Sequence, residues 1–425
     1  MPHQRTSKPS TKQKELSTLV QRYRLVSHRR HTRCRICARH LPEPVIFLPD
    51  FPMTEIYVRS KQSQKLAVLD QGFCLCPNCG HGQLINAIAA EVLYGQEYFT
   101  RTSGTSATTA IDDFLKFVIP QLPSRKIKGI LEIGCNDLYS LNHLSDRADA
   151  LCGIDPIWRN RPAPNTNPKI QVIGDFFENV DLSKLSMISD VVLCSHTLEH
   201  IDDPVLLLRS LVATASDKTL FFFQFPGLEP LVRDGRFDQL HHQHLNYFTL
   251  QSVVAALNYA GAELLNYEYN YNHWGALMIS FRKGSSHSPK TNRRFLRRYQ
   301  RVTSQEVRNR YGLFKKSNQA IDAALAAMLK DRKVYGFGAA LMLPILAYHL
   351  PHIRKLTCII DDDPNKHGLY YINLPIQIVP LEKVSVLTHA TVAITAINSK
   401  QNIRAIAQRL IQIHVRDIFV PSHVL

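Results

Sequence analysis

Three groups of residues in this chain have the types and spacings to do chemistry. The first opens with Gly129-Ile-Leu-Glu-Ile-Gly-Cys-Asn-Asp137, an apolar run ending in an acid and a glycine turn before a helix-like segment. A turn of this kind, carrying Glu132, Gly134, Asn136 and Asp137, lets a ligand approach the backbone at a strand's carboxyl end. A second apolar run ends at Asp155, 23 residues after Glu132, about the interval at which nucleotide folds place an acid on ribose hydroxyls. Asp175 beside Phe176 suits an adenine, and residues 190–203 read as a buried strand entering a polar loop with His196, Glu199 and His200. The second group is Cys34-Arg-Ile-Cys37 with Cys76-Pro-Asn-Cys79. Each knuckle offers two thiolates from one tight turn, and together they complete a tetrahedral sulfur site suited to structural Zn²⁺. Disulfides are the competing reading, but the chain starts without an apolar signal core, and a reducing compartment disfavours them. Cys74 stands too close to Cys76 to join the set. The third group is His241-His-Gln-His244, three imidazoles in four residues, able to bind metal, cap a loop or serve a reaction.

These groups need elements to hold them. Residues 1–30 read as a basic flexible tail with a short helix from Lys14 to Val26. Residues 31–90 form the zinc-binding domain, and 91–281 a parallel α/β core whose late strands are 219–225 and 276–281. Residues 282–330 read as a basic linker followed by helix over 318–330. A second βαβ pattern then restarts over 331–425, with a strand and glycine turn over 333–339 and strands at 356–361, 391–396 and 417–420.

The net charge of +16 is localised. Residues 1–40 carry +10 and residues 282–316 carry +11, leaving −5 for everything else. The expected explanation is a solvated tail and a solvated helix face. Nucleic acid stays open as a partner without being favoured, because no base-stacking motif accompanies the charge. No apolar run approaches the roughly 20 residues that span a bilayer, so the expectation is a cytoplasmic protein with no membrane partner.

The ordered series from Gly129 to Asp203 resembles class I S-adenosylmethionine methyltransferases. An NAD-binding Rossmann domain is the competing reading, against which the Gly-Cys-Asn-Asp-Leu turn lacks the tight Gly-x-Gly-x-x-Gly form. Further motifs narrow the resemblance. Gly80-His-Gly-Gln-Leu84, Glu97-Tyr98-Phe-Thr-Arg-Thr-Ser103, Phe237-Asp-Gln-Leu-His-His-Gln-His-Leu-Asn-Tyr-Phe248, Asn272-His273-Trp-Gly-Ala-Leu277, Tyr335-Gly-Phe-Gly-Ala-Ala340 and Asp361-Asp-Asp-Pro-Asn-Lys-His-Gly368 follow in order. They resemble the zinc-containing C-methyltransferases of nucleotide-linked 4-keto-deoxyhexoses, from residue 31 to the C-terminus.

The resemblance implies a class I methyltransferase core between a small zinc-binding domain and a second Rossmann-like domain, with S-adenosylmethionine and structural zinc as cofactors. It implies a base that removes the proton beside a sugar ketone, after which the enolate carbon attacks the methyl group; a histidine suits that base. By resemblance His244 is the base, with His241 and Tyr98 beside it. His242, Gln243 and His273 meet the substrate, while His196 lines the methionine end of the donor site. The donor itself is expected on Glu132, Gly134, Asn136, Asp137, Asp155, Asp175 and Phe176.

The chain departs from the pattern at Leu341-Met342, where a lysine is missing after Gly-Ala-Ala, and at four points within residues 91–281. Leu138 replaces a glycine, which leaves two readings open: a turn wider than usual, or a side chain that crowds the donor or the strand–helix contact and lowers donor affinity. His241 replaces Tyr, Gln243 replaces Glu, and Thr100 replaces the second Tyr of a Tyr-x-Tyr segment. These departures keep two alternatives open: an O- or N-methyltransferase, or a decayed methyltransferase fold acting as a binding protein.

Overall fold

The computed structural model describes residues 23–24, 26–61, 66–93, 105–159, 162, 167–182, 185, 190–285, 287–384, 387–397 and 400–422. The helix expected from Lys14 lies almost wholly outside them. Six short strands come first: β1 (His28–Arg30), β2 (Ile46–Pro52), β3 (Tyr57–Val58), β4 (Val68–Leu75), β5 (Gly82–Leu84) and β6 (Asn86–Ile88). The middle of the chain carries β7 (Ile127–Ile133), β8 (Ala148–Ile154), β9 (Ile170–Ile173), β10 (Val191–Ser195), β11 (Leu220–Pro226), β12 (Asn246–Tyr247), β13 (Ala262–Asn270) and β14 (Ala276–Lys283). The last part has β15 (Val334–Phe337), β16 (Ile359–Ile360), β17 (Tyr370–Tyr371), β18 (Leu374–Val379), β19 (Thr391–Ile394) and β20 (Asp417–Phe419).

The middle sheet runs β9-β8-β7-β10-β11-β14-β13, with β14 antiparallel to both neighbours and the first five strands parallel. Strands β7, β10 and β11 are almost continuously apolar because helices cover both faces. Chain order reverses at β7: β8 and β9 step away on one side, β10 and β11 on the other. The crevice above the carboxyl ends of β7 and β10 is therefore the switch point where such sheets take ligands. Strand β13 was not expected from sequence. It is an edge strand whose alternate residues face solvent, so Glu263, Asn266 and Glu268 mask its apolar half.

Two strand pairings tie the modules together. β12, from the histidine segment, joins β5, giving a four-stranded sheet ordered β12-β5-β4-β2. β3 joins β17 at the edge of the last sheet, ordered β20-β19-β15-β16-β18-β17-β3. The zinc-binding segment thus shares hydrogen-bonded sheets with both of its neighbours.

The expected linker is shorter than predicted. Helix Ser304–Asp331 begins where Thr303 Oγ1 accepts the Glu306 N–H at 3.1 Å, and it takes in residues expected as linker. Val307, Phe314, Asn318 and Leu325 form its buried stripe, while Arg308, Arg310, Lys315 and Lys316 are exposed. This part of the basic segment is the solvated face of an amphipathic helix. Among the described residues, no helix is long and apolar enough to cross a membrane.

The two α/β units share one device. Asp155, just past β8, accepts the Asn136 N–H at 2.8 Å; Asp361, just past β16, accepts the Ala339 N–H at 2.6 Å. Each acid clamps the glycine turn of the preceding strand. In the second unit Lys366 also fills the turn, donating to Ala339 O at 3.1 Å and lying 3.7 Å from Asp361.

Candidate active site

The switch-point crevice is built around Gly134. Its φ is +74°, and a Cβ there would lie 1.9 Å from Thr197 Oγ1, so no side chain fits. The Thr197 hydroxyl sits 3.3 Å from Ile133 O and 3.2 Å from Ser195 O, joining the ends of β7 and β10. Asn136 follows with φ +42° and Leu138 with φ +67°. Of the two readings open for Leu138, crowding of the crevice is not what its side chain does. Its side chain is wholly buried in the core beneath, with Ile130, Cys135, Leu141 and Leu144. The left-handed backbone costs about 1–2 kcal/mol in a non-glycine residue, and burying the leucine offsets it. Leu138→Gly relieves that strain but opens a cavity, so we expect a net loss of about 2 kcal/mol in urea unfolding; a gain in stability would contradict this packing.

Around this turn polar atoms wait for partners. Glu132 is buried, and Oε2 has no hydrogen-bond partner among the described residues; neither has Asp137 Oδ1. Burial pushes the Glu132 carboxyl up to about 8, against a hydrogen bond from Ser140, so it is largely neutral at pH 7. Asp155 accepts N–H bonds on both oxygens, from Asn136 at 2.8 Å and Ile157 at 3.0 Å. Asp175 Oδ1 accepts from Asn179 at 2.9 Å and Phe176 N at 2.8 Å and pairs with Arg159, whose guanidinium lies 5.1 Å from the Phe176 ring centroid. The residues expected to hold the donor therefore gather at one end of β7, β8 and β9. A glycine cradle with orphaned buried acceptors fits a ligand bearing amino and hydroxyl donors.

Next to the crevice lies an imidazole pocket. His196, at φ +49°, and the turn Leu198–His200 carry β10 into it. Glu199 is fully buried; its Oε1 lies 3.1 Å from His196 Nδ1 and 3.9 Å from His244 Nε2. His244 stacks near His241 (centroids 3.8 Å apart) and meets His200 edge-on at 4.9 Å. His273, from the β13–β14 turn, meets His196 edge-on at 4.7 Å. Burial holds His196 and His241 down to about 4 and 3, and holds His244 and His273 well below the usual imidazole range. His244 Nδ1 and His196 Nε2 are buried without hydrogen-bond partners among the described residues.

Two neighbours expected to touch substrate are placed differently. His242 is wholly buried, with Nε2 2.9 Å from Phe51 O and Nδ1 3.2 Å from Gln71 Nε2. Both of its ring nitrogens are committed to the zinc-binding module, because the segment turns here, with His244 N–H donating to His241 O at 3.1 Å, and a tight turn points its central side chains away from the flanking ones. Gln243 is likewise enclosed. Its Oε1 accepts from the Thr54 hydroxyl at 3.1 Å and lies 3.0 Å from His241 Nδ1. It orients His241 and bonds the loop to the first module. Tyr98 lies outside the described residues.

These burials set an acid sensitivity. His241 and His242 hold folded-state values near 3 and 4 against 6.5 unfolded. Their stabilising contribution is complete above about pH 6.5 and is lost as pH falls, because only the unfolded chain takes up the protons. At pH 5 each costs about 2 kcal/mol. The urea midpoint should drop steeply between pH 7 and pH 5; a flat profile would contradict the neutral, buried placement.

The four cysteines converge. Cys34 and Cys79 sulfurs are 3.6 Å apart, Cys37 and Cys76 sulfurs 3.5 Å, close to the roughly 3.8 Å edge of a tetrahedron with 2.3 Å zinc–sulfur bonds. The knuckles are near copies: Ala38 (φ +57°) and Gly80 (φ +72°) close them, donating N–H to Cys34 O at 2.9 Å and Cys76 O at 3.0 Å. Cys74 points away, its thiol 3.4 Å from Pro42 O. The ligand set fits zinc, with no position left for chemistry. The knuckles pack on helix Leu250–Ala260, and His81 beside them bonds Asn246 at 3.1 Å.

Residues 105–267 match the family model described as a methyltransferase domain, and residues 34–94 match one described as a zinc binding domain. The chain carries a methyltransferase domain behind a zinc-binding domain. The methyltransferase domain is of the class I, S-adenosylmethionine-dependent kind, and its glycine cradle and clamping Asp155 lie within the matched residues. A curated relative, the C-methyltransferase NovU of Streptomyces niveus, is 20% identical over 207 residues, 48% of this chain. The match spans 49% of NovU, so the chain spans about half the length of the relative it matches. Among solved structures, the N-methyltransferase NodS of Bradyrhizobium japonicum with S-adenosylhomocysteine is 12% identical, covering 43% of this chain and 90% of that one, at a TM-score of 0.34. An S-adenosylmethionine-dependent methyltransferase of Mesorhizobium loti is 15% identical, covering 42% and 98%, at a TM-score of 0.32.

Sequence reasoning left Glu199 undecided between a contact and a solvated helix position. The signal for its burial was its place one turn beyond an apolar strand. The supports from Phe51, Thr54 and Gln71 left no signal, since they act through a carbonyl and small polar groups far away in sequence.

Proposed function

We propose that this chain methylates carbon in a nucleotide-linked keto-deoxysugar, using S-adenosylmethionine. The observation that carries the reading is the imidazole pocket beside the donor crevice, in which His244 Nδ1 is buried, neutral and unpartnered among the described residues. The name of NovU, a C-methyltransferase, supports the same reaction type. The donor would be held by Gly134, Asn136 and Asp137 at the turn, with Asp155 and Asp175 toward its adenosine. Bound there, it supplies an electrophilic methyl group on a sulfonium.

The chain's own residues do the rest. His244 Nδ1 takes the proton from the carbon beside the ketone, and the C–H electrons become the enolate. His241 and His273 orient the sugar and exclude water. A neutral base suits this step, because an imidazole already protonated could not accept the proton. Holding both reactants together supplies much of the acceleration.

Two measurements test the reading. Calorimetry should give micromolar binding of S-adenosylmethionine, an ordinary cofactor affinity of about −8 kcal/mol. A nucleotide-linked 4-keto-6-deoxyhexose in deuterated water should exchange the hydrogen beside its ketone. Donor binding without exchange would move the reaction to oxygen or nitrogen; neither would leave a binding protein.

A further inference from the structure

Position 243 is glutamine where the resembled motif has glutamate, so the loop itself brings no negative charge to its imidazoles. A carboxylate is nevertheless present. Glu199, from the turn after β10, is fully buried, with Oε1 3.9 Å from His244 Nε2 and Oε2 unpartnered among the described residues. The groups within ion-pair reach of it, among those residues, are imidazoles. We infer that Glu199 is the positioning carboxylate of the base: its charge, 3.9 Å from His244 Nε2, favours the proton on that nitrogen and so leaves Nδ1 as the acceptor. This rests on the reading that His244 is the base.

The groups facing this pair come from every surrounding element. His196 and His200 lie on or beside Glu199's own turn, the buried Cys194 thiol on β10, His241 and Tyr247 on the histidine segment, and His273 contacts His196 from the β13–β14 turn. Tautomers can be read from their partners. His200 Nδ1 lies 2.9 Å from Gln243 O and donates to it. His241 Nδ1 faces Gln243 Oε1, which already accepts from Thr54, so it too donates. With those two imidazoles fixed as donors away from Glu199, His196 and His244 are left to share the carboxylate. Burial pushes Glu199 up to about 7 and holds the imidazoles down, so an ion pair is stable there only once an imidazole is charged. Proton abstraction creates that charge. The proton goes from carbon to Nδ1, the electron pair stays on the enolate, and the imidazolium formed is stabilised by the Glu199 charge 3.9 Å from Nε2. Glu199 itself takes no proton.

The test needs no sugar. Nitrogen NMR of the ¹⁵N-histidine-labelled, zinc-loaded full chain, with His244 assigned from its absence in His244→Gln, should show the Nε2–H tautomer. In Glu199→Gln the His244 titration should move down by at least one pH unit. An Nδ1–H tautomer in the wild type, or an unmoved titration in the variant, would overturn the pairing. So would a second zinc per chain that disappears with Glu199→Gln. Should the variant not fold, the wild-type tautomer decides alone. In the exchange assay the acidic limb of the rate profile should move down with the titration, and the plateau should fall roughly 10- to 100-fold. Absence of exchange in the wild type would sink the sugar reading, whereas the tautomer and titration seen by NMR would still decide the pairing.

Discussion

Replacing Cys76 with serine should abolish turnover, although no cysteine of that site comes from the imidazole pocket. The loss runs through the shared sheet. Cys76 follows directly on β4, and β4 pairs with β5, which pairs with β12 at the end of the histidine segment. The same module reaches the segment again through Phe51 to His242 and Thr54 to Gln243, and Arg35 beside Cys34 pairs with Asp202 at 3.3 Å. A structural zinc site contributes folding free energy directly, on the order of 10 kcal/mol in small zinc modules. Removing one thiolate leaves three buried sulfurs and an open coordination position. The first module then loosens, and His241 and His244 lose their fixed orientation. The donor crevice is built from β7, β8 and β10 and should survive. We therefore expect zinc to fall from one per chain to near zero, proton exchange to fall at least 100-fold, and donor affinity to change less than about tenfold. Metal analysis, the exchange assay and calorimetry on one preparation check this. Full exchange in a zinc-free chain would show that the module does not hold the pocket.

His244→Ala gives the second large effect, with a different signature. General bases contribute on the order of 10²- to 10⁴-fold, so exchange should drop by that range. Zinc content and donor binding should stay as in the parent chain, because His244 touches neither site. Its neighbour supplies the control. His242→Ala strips partners from Phe51 O and Gln71, two buried groups, and should cost about 2 kcal/mol of stability. Once folded, it should retain most of its exchange rate. Equal loss of exchange in both variants, with both folded, would mean that the segment acts through its shape and not through one imidazole.

Sequence spacing reached different distances in different parts of the molecule. The glycine turn, the acid after β8 and the cysteine knuckles were legible because each rests on a local rule: a backbone that only glycine permits, a strand end, a two-residue loop between ligands. The restart of an α/β unit near residue 333 was legible for the same reason. The part played by Leu138 stayed open because its side chain leaves the turn on the core side, and the direction of a left-handed residue is not written in the residues beside it. The division of labour among His241, His242 and His244 was also hidden. It depends on Phe51, Gln71 and Thr54, which lie between 171 and 191 residues away from His242 and Gln243. The edge strand β13 and the first half of helix Ser304–Asp331 were obscured by their solvent-facing residues.

On the proposed function, an activated carbon held against the imidazole pocket receives the methyl group. Incubating the zinc-loaded chain with S-adenosylmethionine carrying a ¹³C methyl and a nucleotide-linked 4-keto-6-deoxyhexose tests it most directly. The account predicts a new ¹³C methyl resonance coupled to a sugar ring carbon beside the ketone. A label that appears on oxygen or nitrogen, or one that stays on the donor, would contradict it.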